Sequence, residues 1–119
     1  MVKILMIEDD LQIQDMYREK LILEGFKVYQ AESGKKALEL MKTVKPNLII
    51  LDIMLSGKLN GFDVLEHLKA DKDLKKIPVI MLTNLSTEKK VAFEIGAADY
   101  LIKADASLNE IVEKIKNLT

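Results

Sequence analysis

Five short apolar runs, each followed by an amphipathic stretch, set the strongest limit on what this chain can fold into. The strand-like runs are Lys3 to Ile7, Lys27 to Gln30, Leu48 to Leu51, Val79 to Leu82 and Tyr100 to Ile102. At least three are nearly continuous in apolar residues, as strands covered on both faces must be. The second, "KVYQ", is the weakest and is expected at a sheet edge. No hairpin signal joins the runs, so each strand returns through a helix, which implies parallel strands linked by right-handed crossovers. The expected fold class is therefore α/β, a doubly wound (βα)5 sheet with helices on both faces.

The helical stretches carry their own punctuation. The first runs from about Asp10, with Ile13, Met16, Tyr17 and Leu21 expected on the buried side, and stops at Gly25, a residue suited to a left-handed turn. Ser33 can cap the second, where Ala37, Leu38, Met41 and Val44 repeat at helical spacing before Pro46 forbids continuation. Phe62, Leu65 and Leu68 mark the third. The fourth is expected from near Ser86, with Val91, Phe93 and Ile95 ahead of Gly96. The last opens with "SLNE", Ser107 to Glu110, a capping-box pattern, and continues with Leu108, Ile111, Val112, Ile115 and Leu118.

Composition removes several function classes. The 119 residues read as one domain, 1–119, with 49% hydrophobic residues and a net charge of −1 from 18 basic and 19 acidic side chains mixed along the chain. No long-range field is available to hold nucleic acid or an anionic membrane, so neither is expected as a direct partner. The absence of cysteine excludes disulfides, thiolate metal sites and thiol catalysis. No run approaches transmembrane length and the start lacks a signal-peptide core, so a cytoplasmic address is expected.

In a sheet of this kind, ligands bind beyond the carboxyl ends of the strands, where strand order reverses. Those ends hold Glu8 and Asp9 after the first run, Asp52 after the third, Thr83 after the fourth and Lys103 after the fifth. With the flavodoxin-like order 2-1-3-4-5, the first and third strands are neighbours and three carboxylates converge. Two unit charges about 4 Å apart repel by roughly 4 kcal/mol at an effective dielectric near 20, so a cation must sit among them. Lys103 offsets part of the repulsion. Oxygen ligands without His or Cys suit a hard divalent ion, Mg2+ above others. A central carboxylate, a hydroxyl and an ammonium beside such an ion make a phosphoryl-transfer site, with Asp52 as nucleophile and Thr83 and Lys103 stabilising the phosphoryl oxygens.

The segments "ILMIEDD", "LIILDIML", "VIMLTN" and "GAADYLIK", in this order and on these strands, resemble a response regulator receiver domain of the CheY-like superfamily over essentially the whole chain. The resemblance implies that Asp52 is the phosphoacceptor, Glu8 and Asp9 the acid pair, Thr83 the switch hydroxyl and Lys103 the essential lysine. It implies Mg2+ held by Asp9, Asp52 and the carbonyl of Met54. It implies a histidine kinase, a phosphotransfer protein or a small acyl phosphate as donor. Thr83 is then expected to turn toward the phosphoryl group while Tyr100 swings inward. That movement alters the face made by the fourth helix, fifth strand and fifth helix, where a downstream partner docks. The chain is expected to be a monomer or a phosphorylation-dependent dimer. As a receiver domain it is not expected to be an enzyme beyond its own phosphorylation and dephosphorylation, and the latter is expected to be slow, since Met54 and Leu85, which flank the water's route, are apolar. No effector sequence follows Thr119, so output is expected through a partner or through a longer regulator of which this chain is a piece.

Some positions depart from the family pattern. Ala104 follows the lysine where proline in a cis peptide is common; without proline the cis form costs about 2.5 to 4 kcal/mol, and a trans bond is expected. Ser56 replaces a usual proline, Gly61 falls one residue late, and Asn84 replaces a small residue beside the threonine. Asp10 reads as a helix cap rather than a site residue. His67 and Lys72, Lys75, Lys76, Lys89 and Lys90 read as surface residues, and Met41, Met54 and Met81 as core or loop filling. A flavodoxin would need a Ser/Thr/Gly-rich phosphate loop where this chain is anionic. A haloacid dehalogenase-type phosphatase would want an acid at Met54. The remaining alternative is a phosphorylation-independent interaction module with the receiver shape.

Overall fold

The computed structural model describes residues 1–119. Strands and helices alternate strictly: β1 (Lys3–Ile7), α1 (Leu11–Leu23), β2 (Lys27–Ala31), α2 (Gly34–Val44), β3 (Leu48–Leu51), α3 (Gly61–Ala70), β4 (Val79–Thr83), α4 (Lys89–Ile95), β5 (Asp99–Ile102) and α5 (Leu108–Leu118). All five strands lie in one parallel sheet of order β2-β1-β3-β4-β5. The weak second run is an edge strand, as its composition implied. No helix is long and apolar enough to cross a membrane.

Successive strand residues point to opposite faces, and two cores result. Leu5, Ile7, Ile49, Leu51, Val79 and Met81 face α2, α3 and α4, through side chains such as Ala37, Met41, Leu65 and Ala92. Ile4, Met6, Ile50, Ile80 and Leu82 face α1 and α5, through Tyr17, Leu21, Ile111 and Ile115. Every residue of β3 and β4 is buried, which is why these segments read as unbroken apolar runs.

Helix ends follow the expected signals in most places. Asp10 caps α1 by accepting the N–H groups of Gln12 and Ile13, and Gly25 takes a left-handed φ of 92° after its end. Ser33 caps α2 through the N–H of Lys36. Ser107 accepts the N–H of Glu110 at the start of α5. The reciprocal two-bond box instead forms at α3, where Asn60 accepts from Asp63 N–H and the Asp63 carboxylate accepts from Asn60 N–H.

Two helices depart in part from the expected buried faces: Tyr17 and Leu21 of α1 are buried and Ile95 of α4 packs partly buried, as expected, but other positions differ. On α1, Met16 is exposed and the buried stripe is Gln14, Tyr17 and Leu21. The fourth helix starts at Lys89 rather than Ser86, and Ala92 is its buried residue, while Val91 and Phe93 stand 42% and 41% exposed. Ala92 enters the core on this face of the sheet, and Ile95, one turn on, packs against it partly buried. Met54 is likewise exposed rather than packed, whereas Met41 and Met81 are fully buried. Phe93→Ser is therefore expected to change stability by no more than about 0.5 kcal/mol. Ala92→Leu, forced into a filled core, is expected to cost about 1–3 kcal/mol. Urea unfolding of both variants checks the assignment.

Candidate functional site

The sheet ladder itself delivers the site. Ile7 pairs with Leu51, so Glu8 and Asp52 are the next residues along adjacent strands. The backbone bonding runs on past the strand ends: Glu8 N–H donates to Ala31 O at 3.1 Å, Asp52 N–H to Ile7 O at 3.1 Å, and Lys103 N–H to Thr83 O at 2.9 Å. Glu8, Asp52 and Thr83 are buried and Asp9 is exposed. The carboxylates of Glu8, Asp9 and Asp52 converge, with one oxygen from each within 4.8 Å of the others.

Lys103 reaches this cluster from β5. Its ammonium donates to Asp52 Oδ2 at 2.6 Å and also to Glu8 Oε1. Burial works to lower the Lys103 pKa, but the hydrogen bonds and charges of Asp52 and Glu8 together outweigh it and hold the ammonium above its ordinary range. Burial dominates at Glu8, pushing its carboxyl up although the Lys103 contact pulls the other way. One ammonium among three carboxylates leaves net negative charge at the site. The donor set is all oxygen, with Glu8 and Asp52 buried and Asp9 exposed, which fits a hard divalent cation that keeps some of its water.

The remaining expected residues assemble around this centre. Met54 N–H donates to Asp52 Oδ1 at 3.2 Å, and Ser56 N–H to Asp9 Oδ2 at 3.2 Å, so the loop after β3 holds two of the acids. Thr83 Oγ1 accepts the N–H of Leu85 at 3.4 Å. Tyr100 is 5% exposed and already points inward, its hydroxyl donating to the Leu85 carbonyl. The Lys103–Ala104 bond is trans. Asp10 takes part as the cap of α1, and His67 lies on the surface.

Gln14 is not singled out in the sequence, and Gly61 only for its spacing, yet both support the site. Gln14 is buried, and its amide donates to the carbonyls of Glu8 and, at 3.0 Å, Ala31, tying the ends of β1 and β2 together behind the acid pair. Its signal was positional: a polar residue at the same helical phase as Tyr17 and Leu21. Gly61 seats the start of α3 on the end of β3, its N–H donating to Ile53 O at 2.8 Å. A Cβ there would lie 2.1 Å from the Asp52 carbonyl oxygen and 2.6 Å from Ile53 Cα. The residue added before Gly61 is absorbed in an exposed turn, where Gly57 has a φ of 93° and free space around it.

A doubly wound sheet with an acidic cluster, a threonine and a lysine at its carboxyl edge is the frame of a signalling module. Residues 4–116 match the family model of the response regulator receiver domain, and the chain belongs to that family. It is 38% identical over 120 residues to the DNA-binding dual master transcriptional regulator RpaA of Synechocystis, covering 99% of this chain and 49% of that protein. The chain thus spans about half the length of the curated relatives it matches. The receiver domain of the Francisella response regulator 1452 superposes with a TM-score of 0.90 at 30% identity, covering 99% of this chain and 96% of that one. A signal receiver domain of a signal transduction histidine kinase from Syntrophus aciditrophicus gives 0.90 at 28% identity, covering 99% and 89%.

Two measurements test the site. Gly61→Ala is expected to cost about 3 kcal/mol or more, because backbone must move, whereas Gly57→Ala carries only its left-handed φ, about 1–2 kcal/mol; denaturant midpoints separate them. Glu8 binds its proton more tightly folded than unfolded, so it stabilises below its ordinary pKa and that contribution is lost as pH rises through the elevated value. In metal-free buffer, Glu8→Gln is therefore expected to gain stability relative to the parent as pH rises above the ordinary glutamate pKa of about 4.3. A constant difference would refute the assignment.

Proposed function

We propose that this receiver domain is the phosphoacceptor of a two-component phosphorelay, with Asp52 as the residue that carries the phosphoryl group. The observation that carries the reading is the Lys103 ammonium at 2.6 Å from Asp52, inside a cluster completed by Glu8 and Asp9. In the step, a carboxylate oxygen of Asp52 attacks phosphorus as the P–N bond of a phosphohistidine, or the P–O bond of a small acyl phosphate, breaks. The donor leaves with the bonding electron pair. Lys103 stabilises charge on the phosphoryl oxygens. Thr83 donates its hydroxyl to one of them, giving up its present role as acceptor from Leu85. Mg2+, which Glu8, Asp9, Asp52 and the Met54 carbonyl would hold, supplies further positive charge to those oxygens.

Output follows from the same residues. Leu85 is bonded both to Thr83 and to Tyr100, so a turn of the Thr83 hydroxyl disturbs the segment leading into α4. The exposed Val91 and Phe93 offer an apolar contact on the α4-β5-α5 face for a downstream protein or a second receiver. The chain acts in the cytoplasm, and its chemistry is limited to its own phosphorylation and slow hydrolysis. Met54 and Leu85 cannot orient an attacking water, since neither side chain bears a polar hydrogen-bonding group.

Incubation with acetyl phosphate and Mg2+ is expected to add one phosphate by intact-mass measurement, and Asp52→Asn to abolish it. Failure with both acetyl phosphate and a panel of phosphorylated kinases would favour an interaction module that works without phosphate. The phosphoprotein is expected to outlast gel filtration in Mg2+, and a half-life of seconds would contradict the role given to Met54 and Leu85.

A further inference from the structure

Lys103 has to carry its ammonium from β5 past β4 to β3, so its performance depends on where its backbone is held. That backbone is tied twice to the end of β4. Lys103 N–H donates to the Thr83 carbonyl at 2.9 Å, and the next amide, Ala104 N–H, donates to the side-chain oxygen of Asn84 at 3.0 Å. The following amides turn away: Asp105 and Ala106 both donate to the Ile102 carbonyl, at 3.0 and 2.9 Å. Asn84 in turn projects from an anchored segment, since Leu85 N–H bonds Thr83 Oγ1 and the Leu85 carbonyl accepts from Tyr100.

We propose that Asn84 is a positioning residue for Lys103: its side-chain oxygen extends the β4–β5 ladder by one bond beyond Thr83 and fixes the backbone from which the ammonium reaches Asp52. The pairing demands a residue with a backbone N–H at position 104, which alanine has and proline lacks. Asn84 and Ala104 thus act as one device, an acceptor and the donor it needs. Both are exposed, so the bond adds little to global stability. Its effect falls on alignment, where a small displacement of a charged group costs rate. The consequence for phosphotransfer rests on the phosphoacceptor reading of Asp52; the geometric claim does not.

The experiment uses the full chain, isotopically labelled for NMR. In Asn84→Ala, the Ala104 amide is expected to move upfield and exchange faster with solvent, and the Lys103 Nζ resonance to shift, while the unfolding midpoint barely changes. Asn84→Asp, which keeps an oxygen acceptor, is expected to restore the Ala104 amide. Labelling of Asp52 by acetyl phosphate at fixed Mg2+ is expected to slow about two- to tenfold in Asn84→Ala, the factor that one net hydrogen bond supplies. In an Ala104→Pro background, adding Asn84→Ala is expected to change neither the Lys103 signal nor the labelling rate. An unshifted Lys103 signal in Asn84→Ala, or a full further effect in the proline background, overturns the proposal. If the parent chain takes up no phosphate, the phosphoacceptor reading fails while the Lys103 signal still decides the positioning role.

Discussion

The register of β1 against β3 is the constraint on which the rest of the structure turns. Ile7 opposite Leu51 leaves Glu8 beside Asp52 with no freedom to separate, because neighbouring strands lie about 4.8 Å apart. Two carboxylates at that spacing, both buried, are tolerable only if positive charge reaches them. The cation comes from β5, two strands away from β3 in the sheet order, a gap of about 10 Å at that strand spacing. Only a long side chain spans it, and Lys103 touches both acids at once.

This geometry explains why the strand ends could be read directly from the sequence and the helices less well. A central parallel strand must be apolar on both faces, so β3 and β4 announce themselves, and whatever polar residue ends them stands out. Helix faces carry weaker information. On α1 the buried phase includes Gln14, while Leu11, Met16, Ile22 and Leu23 face solvent. On α4 the buried residue is Ala92, while Val91 and Phe93 lie outside. Apolar spacing finds Tyr17, Leu21 and Ile95 but also points to Met16, Val91 and Phe93, which stay exposed, and misses Gln14 and Ala92, which are buried.

The acids, the threonine and the lysine of the site were legible for the same reason as the strands. Their supports were not. Gln14 acts on carbonyls of Glu8 and Ala31, Gly61 on the carbonyl of Asp52, and Asn84 on the amide of Ala104. Each is a contact between a side chain, or the lack of one, and a backbone group of another segment. Backbone groups are the same at every residue, so no residue pattern marks them as partners. Two departures noted separately in the sequence, Asn84 and Ala104, prove to be the two halves of one hydrogen bond.

Glu8 and Asp9 are adjacent, yet the fold gives them different work. Glu8 continues the strand, with its N–H on Ala31, its carbonyl held by Gln14 and its carboxylate turned inward to Lys103. Asp9 leaves the strand, is exposed, and is steadied by the N–H of Ser56. Burial raises the Glu8 pKa although the Lys103 contact pulls the other way, so Glu8 works from inside the protein while Asp9 works from its surface. Glu8 and Asp52 both contact the Lys103 ammonium, and Asp9 is the acid of the cluster left facing solvent. The division follows from alternation along a strand: of two consecutive acids at its end, one is drawn into the protein and the other is left facing whatever comes from outside.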